Sequence, residues 1–320
     1  MAGGKLGIDT GPRVGITVRA MKQQSVVRCL WVLAGIWQGL VPAGAMILFG
    51  LDNTANRTDP GTGVPFDAVG LVVGTGGADP MGSAIHLGGG YMLTANHVVM
   101  QPYVTFDGST FYQRDTGFIP AQVAANVDLK VFRLTVTPTV GAVNLYSGAS
   151  ELAGSAATQV GWGVGRNPTI PVDSVAVGWG DYSTIDKRWG LNAPLDFPTI
   201  AYDSYSYGTI RTVLGSDSGS PAGVGESEAA ATLIDSGAGL FQQIGGIWYL
   251  IGATTTVDTM WTSNFGNDAV TGTGTGDGNY FVRIGTYAPD LLALIPEPSV
   301  GMLFGGGVWW LLSRRRRGRH

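Results

Sequence analysis

The sequence has little cysteine, little histidine and little charge. One cysteine and three histidines occur among 320 residues, and charged residues make up only 13% of the chain. The single cysteine, Cys29, lies in a terminal apolar segment that we expect to be removed. The remaining chain would then have no thiol for a disulfide, a thiolate nucleophile or a zinc site. With so few histidines as well, we predict neither a metal nor another cofactor.

Basic residues are scarce in the body of the chain. Residues 46–298 contain 9 Lys/Arg and 22 Asp/Glu, a net charge of −13. Such a body is repelled by phosphate backbones, so we predict no nucleic-acid partner.

The middle of the chain also lacks any long stretch with helical periodicity. The whole chain has 51 glycines, and in its middle they separate short runs of aromatic and β-branched residues, which favours an all-β fold over α/β. Strands are predicted at 68–73, 83–87, 91–95, 128–134, 157–162, 239–244, 247–253 and 280–284. The segment APDLLALI (288–295) predicts a short terminal helix.

The N-terminal segment has the pattern of a secretory signal peptide. Lys22 and Arg28 form a basic region, residues 29–41 are apolar, and Ala43-Gly44-Ala45 is a small-residue cleavage site. A membrane anchor is the alternative, but the apolar run is short for a span. We interpret residues 1–45 as a signal peptide with an extended or misassigned N-terminus.

The C-terminal segment, residues 296–320, is more specific. Pro-Glu-Pro-Ser (296–299) precedes about 13 apolar residues and then Arg314–Arg317, whereas a membrane span needs roughly 20 apolar residues. This arrangement resembles the PEP-CTERM sorting tail of Gram-negative bacteria. The resemblance implies transient membrane anchoring and cleavage by an exosortase-type enzyme, with an ordinary tail anchor as the alternative. Both interpretations predict export to the periplasm, the cell envelope or the medium.

Two residues that could carry chemistry stand beside predicted strands. His97 follows the strand YMLTA (91–95), and Asp128 begins the alternating strand DLKVFRL (128–134). Taken alone, each is more often an ordinary structural residue. With a later serine in Asp-Ser-Gly, however, they form the order His, Asp, Ser, which favours a shared catalytic role.

The motifs LTANH (93–97) and DLKVF (128–132) resemble those of trypsin-like (chymotrypsin-fold) serine proteases of the bacterial PEP-CTERM-tailed type. The resemblance covers most of residues 53–295. It implies two packed antiparallel β-barrels followed by a short helix, within a domain spanning 46–295. The two halves would cover about 66–138 and 157–290.

That resemblance also implies an activity, a serine endopeptidase that cuts proteins or peptides through an acyl-enzyme. His97 would take the proton of the serine, and Asp128 would accept a hydrogen bond from the other ring nitrogen and stabilise the imidazolium.

Two serines compete for the role of nucleophile. Ser218, in GSDSGSP (215–221), is closer to the family's Gly-Asp-Ser-Gly-Gly-Pro pattern, but no strand follows it. Ser236, in LIDSGAG (233–239), matches less well, yet it leads directly into two strands joined at Gly245-Gly246. A nucleophile must be held rigidly, so we favour Ser236 and keep Ser218 as the alternative.

The backbone N–H groups of Ser236 and Ile234 would bind the oxyanion. The family has glycine at the position of Ile234, and glycine tolerates backbone angles that a β-branched residue resists. If the site needs such angles, Ile234 would hold its N–H badly. This motivates a second hypothesis, a catalytically inactive trypsin-like fold that serves as a cell-envelope or matrix binding protein.

Two further expectations concern ligands. By the same resemblance Ala230 would lie near the base of the primary pocket, which argues against Lys or Arg in the substrate because it supplies no carboxylate. The loop GNDAVTGTGTGDGN (266–279) offers Asp268 and Asp277 to calcium. It lacks EF-hand spacing, so we interpret it as a flexible loop.

Overall fold

The structure of the chain is a computed structural model that describes residues 46–49, 55–148, 151, 153–167, 176–202, 204–214, 224–225, 227–258, 262–264 and 277–295. The predicted signal peptide, the predicted sorting tail, Ser218 and Asp268 lie outside these residues.

Short strands separated by turns make up most of the described chain. The first nine are β1 (Ile47–Leu48), β2 (Val69–Val73), β3 (Gly82–Gly88), β4 (Tyr91–Thr94), β5 (Tyr103–Thr105), β6 (Phe111–Gln113), β7 (Ala121–Gln122), β8 (Lys130–Arg133) and β9 (Asn144–Leu145). The next six are β10 (Ala157–Gly163), β11 (Ala176–Gly178), β12 (Asp186–Asn192), β13 (Pro194–Asp196), β14 (Thr199–Tyr202) and β15 (Tyr205–Val213). The last five are β16 (Ala229–Ala230), β17 (Gly239–Ile244), β18 (Ile247–Val257), β19 (Thr262–Asn264) and β20 (Gly278–Arg283).

The helical elements within the described ranges are few. Single 3-10 turns lie at Ala55–Arg57, Thr75–Gly77 and Tyr182–Thr184, and one α-helix, α1, spans Ile284–Leu294. This helix starts earlier than predicted and contains Pro289. Its buried residues Ile284, Ala288 and Leu291 recur at helical spacing, so burial of that apolar face accounts for the earlier start.

The first sheet contains seven antiparallel strands in the order β6-β5-β2-β3-β4-β8-β7. Glycines with positive φ make the turn between β3 and β4. Strand β4 pairs with β8 so that Thr94 lies opposite Lys130. The chain leaving β4 and the chain entering β8 therefore lie side by side.

The second sheet contains nine strands. Its main path is β12-β10-β17-β18-β20-β15-β13, with β14 beside β15 and β9 beside β18. The hairpin of β17 and β18, which the sequence predicts after Ser236, turns at Gly245 and Gly246 with φ of 61° and 84°. The segment that carries Ser236 is thus anchored directly to two neighbouring central strands.

One apolar core joins the two sheets. It includes residues from both: Leu71, Ile85, Leu93, Val160, Phe241 and Leu250. The indole N–H of Trp162 in β10 also donates to the carbonyl oxygen of Val69 in β2, at 3.2 Å. The prediction of an all-β fold with a short C-terminal helix is confirmed, and the arrangement is consistent with two chymotrypsin-like barrel halves.

Candidate active site

His97 and Asp128 meet at the edge where β4 ends and β8 begins. The backbone N–H of His97 donates to Asp128 Oδ1 at 2.9 Å, and His97 Nδ1 lies 2.7 Å from Asp128 Oδ2. An ionised carboxylate can only accept hydrogen bonds, so this pairing places the ring proton on Nδ1 and leaves Nε2 as an acceptor. The two bonds together fix the position and the orientation of the imidazole.

Asp128 has a third partner, from the second sheet. Thr255 Oγ1 in β18 donates to Asp128 Oδ2 at 2.5 Å, and the hydroxyl of Tyr207 in β15 lies 2.5 Å from Thr255 Oγ1. Because the proton of Thr255 is used on Asp128, Tyr207 donates to Thr255. The wholly buried carboxylate therefore accepts three hydrogen bonds. Sequence reasoning missed Thr255 and Tyr207, which no local motif marks.

Lys130 holds the loop around His97 through two hydrogen bonds. Its Nζ donates to the carbonyl oxygens of Asn96 at 2.8 Å and Val98 at 2.6 Å, the residues on either side of His97. The side chain is buried, and burial lowers the pKa of Lys130 although the charge of Asp128 raises it. Sequence reasoning read this lysine only as part of an alternating strand.

Ser236 lies on the other side of the imidazole. Its Oγ is 2.8 Å from His97 Nε2, the ring nitrogen that is free to accept. The carbonyl oxygen of Ser236 accepts the backbone N–H of Ser83 in β3 at 2.8 Å, so the nucleophile loop is tied to the first sheet. Among the serines proposed from the sequence, the structure thus brings Ser236 to His97 and Asp128, while Ser218 falls outside the described ranges.

The glycine after Ser236 allows this close approach of the two sheets. Gly237 has φ of 86°, a left-handed conformation that glycine adopts without a steric penalty. A Cβ at Gly237 would collide with the carbonyl oxygen of Ser83 and come within 2.5 Å of Thr94 Oγ1. The Asp-Ser-Gly motif therefore ends in glycine for two separate steric reasons.

Ile234 adopts the backbone conformation in which glycine was expected. Its φ is 75°, which is uncommon for any residue with a side chain and costs roughly 1–2 kcal/mol. The flanking carbonyls hold it there. Leu233 O accepts the N–H of Val164 at 2.9 Å, and Ile234 O lies 3.4 Å from Ser83 Oγ, which shares its proton between Ile234 O and Trp162 O. Isoleucine therefore adopts the positive φ at a steric cost, and tertiary contacts impose it.

The N–H groups of Ile234 and Ser236 donate to no other residue in the part of the chain that the structure describes. Both flank the wholly buried Asp235. Two N–H groups left without a protein acceptor beside a serine Oγ are the groups that would bind an oxygen carrying negative charge.

The side chain of Asp235 is lodged against β10. At Gly163 a Cβ would come within 2.6 Å of Asp235 Oδ2, and at Gly161 it would collide with Oδ1. The sequence Gly161-Trp162-Gly163 thus makes room for this carboxyl group.

The surroundings of Asp235 favour its neutral form. Oδ2 accepts the N–H of Thr232 at 2.8 Å and lies 3.1 Å from Thr232 Oγ1, whose own proton goes to Val164 O at 2.7 Å. A protonated carboxyl group can donate in that second contact. Oδ1 is buried without a hydrogen-bond partner in the described structure. Burial raises the pKa of Asp235 to about 7, although the hydrogen bonds from Thr232 and the charge of Arg188 act in the opposite direction.

A cavity of about 370 Å³ opens beside Ser236 and His97. Its walls come from the residues that lead to the serine and from the end of β18. Ala230, which was expected near the base of the pocket, is buried in β16, where it pairs with Ile47 of β1, and belongs to the same apolar cluster as the lining residue Trp179. It is not among the described residues that line the cavity.

The described residues contain no group of three or more His, Cys, Asp or Glu side chains that could hold a metal ion. None of the described helices combines the length and the apolar character needed to cross a bilayer.

Comparisons with known proteins give structural neighbours at low sequence identity. No family model and no curated protein matches the chain. Among solved structures, the mouse brain serine protease neuropsin shares 14% identity at a TM-score of 0.48, covering 75% of this chain and 98% of its own. An inactivated protease paralogue of the scabies mite shares 15% identity at a TM-score of 0.45, covering 72% of this chain and 92% of its own. Similarity at this level says nothing about the chemistry of this chain.

Proposed function

We propose that the chain is an exported serine endopeptidase in which Ser236 is the nucleophile, His97 the general base and Asp128 the residue that orients His97. One observation carries the proposal. A hydrogen-bonded path runs from Ser236 Oγ to His97 Nε2 at 2.8 Å and from His97 Nδ1 to Asp128 Oδ2 at 2.7 Å. These are the distances at which a base can take the proton of a nucleophile.

The reaction follows from this path. As Ser236 Oγ attacks the carbonyl carbon of a peptide bond, its proton passes to His97 Nε2, and buried Asp128 stabilises the imidazolium. His97 then gives this proton to the leaving amine, which leaves the acyl group on Ser236. A water molecule, activated by the same imidazole, hydrolyses the ester and restores the serine.

The oxyanion that forms in both steps would be bound by the N–H groups of Ile234 and Ser236. Their lack of other acceptors among the described residues supports this assignment. The φ of 75° at Ile234 supports it as well, because it answers the steric objection raised by the sequence.

The remaining parts of the proposal rest on sequence. Residues 1–45 would direct export and be removed by a signal peptidase. Residues 296–320 would anchor the chain transiently until an exosortase-type enzyme cuts them. The enzyme would then act on protein or peptide substrates in the periplasm, the cell envelope or the medium of a Gram-negative bacterium.

A fluorophosphonate probe tests the proposal, because it labels only an activated serine. The purified chain, Ser236→Ala and the matched control Ser218→Ala are incubated with the probe and analysed by mass spectrometry. We expect labelling of the unmodified chain and of Ser218→Ala, and none of Ser236→Ala.

Two other results would contradict the proposal. Labelling lost only in Ser218→Ala would move the nucleophile to that serine. No labelling of any form, with circular dichroism and thermal unfolding showing a folded protein, would favour the inactive binding protein instead.

A further inference from the structure

Part of the wall of the cavity beside Ser236 is apolar. Trp179, Leu233, Ile234 and Val257 all line it. Trp179 is held in place because its indole N–H donates to Ser263 Oγ at 2.7 Å. A fixed indole and three branched aliphatic side chains form a surface that favours apolar ligand groups.

These walls continue into a buried apolar cluster. Trp179 belongs to the cluster together with Val164 and Leu214, and Leu233 and Val257 pack against it. The cavity is therefore the open end of a small hydrophobic core. A side chain that enters it extends that core and removes apolar surface from water on both partners.

Several polar groups of the lining already have partners within the protein. Tyr205 accepts a hydrogen bond from the Asn96 side chain at 3.0 Å, and Thr254 accepts one from the Gln159 side chain at 3.4 Å. The hydroxyl of Thr232 donates to Val164 O, that of Thr255 donates to Asp128, and that of Thr256 donates to the carbonyl oxygen of the next residue, at 3.4 Å. A polar substrate side chain would lose its hydration and meet three hydroxyls whose protons are already engaged.

The described lining also contains no counter-ion for a cation. None of its residues is Asp or Glu. The carboxyl group of Asp235 is wholly buried on the far side of its own loop and does not line the cavity. A lysine or arginine side chain would therefore be buried without a partner, which is strongly unfavourable.

The volume fits a large side chain. The cavity measures about 370 Å³, whereas roughly 150 Å³ is enough to hold a benzene ring. An aromatic ring and the adjoining backbone can enter together. Small side chains would leave much of the apolar wall exposed to water.

We propose that this cavity selects substrates with a large uncharged apolar side chain, aromatic or branched aliphatic, on the acyl side of the bond that is cut. The proposal rests on the proposed function. The acyl side is assigned because Ser236, which would carry the acyl group, and Ile234, whose N–H would hold the carbonyl oxygen, both belong to the cavity wall.

Matched peptide amides of aminomethylcoumarin test this selection, because the leaving group stays constant. Four peptides differ only in the last residue, which is Phe, Leu, Ala or Lys. We expect kcat/KM for Phe and Leu to exceed the value for Ala about tenfold and the value for Lys at least about 100-fold. Equal or faster cleavage after Lys would overturn the proposal.

A second test of substrate selection introduces a carboxylate into the wall of the cavity. In Val257→Asp we expect the ratio of kcat/KM for Lys to that for Phe to rise at least tenfold. Val136→Asp is the matched control, because Val136 is 56% exposed and does not line the cavity. We expect it to leave the ratio unchanged. If Val257→Asp does not fold, Thr256→Asp places the carboxylate at the neighbouring wall position.

Labelling with the fluorophosphonate probe distinguishes a failure of the proposed substrate selection from a failure of the proposed function. A chain that is labelled at Ser236 but prefers Lys, or whose ratio is unchanged in a folded wall variant, overturns the selection and leaves the proposed function intact. A folded chain that is not labelled overturns both.

Discussion

Two wholly buried carboxyl groups, one on each side of the candidate site, differ in the hydrogen-bond partners that the fold gives them. Asp128, beside the first sheet, accepts three hydrogen bonds from His97 and Thr255. Asp235, in the loop before the second sheet, keeps one oxygen without a partner in the described structure. The difference teaches that burial alone does not decide what an aspartate does. The donors supplied by neighbouring strands decide it.

The largest effect on catalysis is expected from changing Asp128, the carboxylate that is hydrogen-bonded to His97. Asp128→Asn presents an amide where a carboxylate accepted the Nδ1 proton, which favours the wrong tautomer of His97. If the proposed function holds, we expect kcat to fall about 10⁴-fold, as such a change does in serine proteases, while the probe still binds weakly. Peptide hydrolysis measures it. Asp115→Asn, which removes a surface pairing with Arg133, is the control and should keep full activity. A loss below tenfold would contradict the role of Asp128.

Asp235, the buried carboxyl group next to Ser236, should make the stability of the protein depend on pH. The pKa of Asp235 rises from 3.8 to about 7 on folding. The unfolded chain therefore releases this proton first as the pH rises. The free energy of unfolding should thus decrease between about pH 4 and pH 7, by up to about 4 kcal/mol.

Urea unfolding at several pH values checks this prediction. Asp235→Asn cannot titrate, so it should lack this decrease. Asp115→Asn is a control of opposite sign, because hydrogen bonding to Arg133 lowers the pKa of Asp115. A decrease that persists in Asp235→Asn would assign it to other groups.

Lys130, which supports the loop around His97, should affect catalysis through the orientation of the imidazole. Lys130→Met leaves the carbonyl oxygens of Asn96 and Val98 without their donor, so the imidazole loses part of its orientation. We expect kcat to fall ten- to 100-fold with little change in KM. Lys187→Met is the matched control. Lys187 is also buried, with a pKa lowered to about 8 by burial, but it donates to Phe106 O away from the site. Equal losses of kcat in both variants would mean that Lys130 is merely structural.

The smallest effect is expected at Ile234. Because its φ is already 75°, Ile234→Gly should leave the N–H where it is. The strain that this change relieves is offset by the flexibility of glycine and by lost packing. We expect kcat/KM to change less than about threefold. An increase of tenfold or more would show that isoleucine does misplace the N–H group.

Much of the fold was predictable because short strands and glycine turns are local signals. The hairpin of β17 and β18 was expected from its residues and its Gly245-Gly246 turn, and it was the reason for preferring Ser236 over Ser218. The α1 helix began earlier than its sequence pattern predicted, because tertiary burial of Ile284 overrides the weak local signal. The boundaries of the domain and the two processing segments stay predictions.

The sequence by itself determined the residue types and their order. It presented a histidine after one strand, an aspartate before another and a serine ahead of a hairpin, since each depends only on near neighbours in the chain. Only the tertiary structure decided which groups support them. Thr255 and Asp128, which share a hydrogen bond, are 127 positions apart in the sequence. The glycines that make room for Asp235 lie on β10, whereas Asp235 lies in the loop before β17. The positive φ of Ile234 is likewise imposed by contacts with Ser83 and Val164. Contacts of this range leave no periodic trace in the sequence, because folding, and not local spacing, brings the partners together.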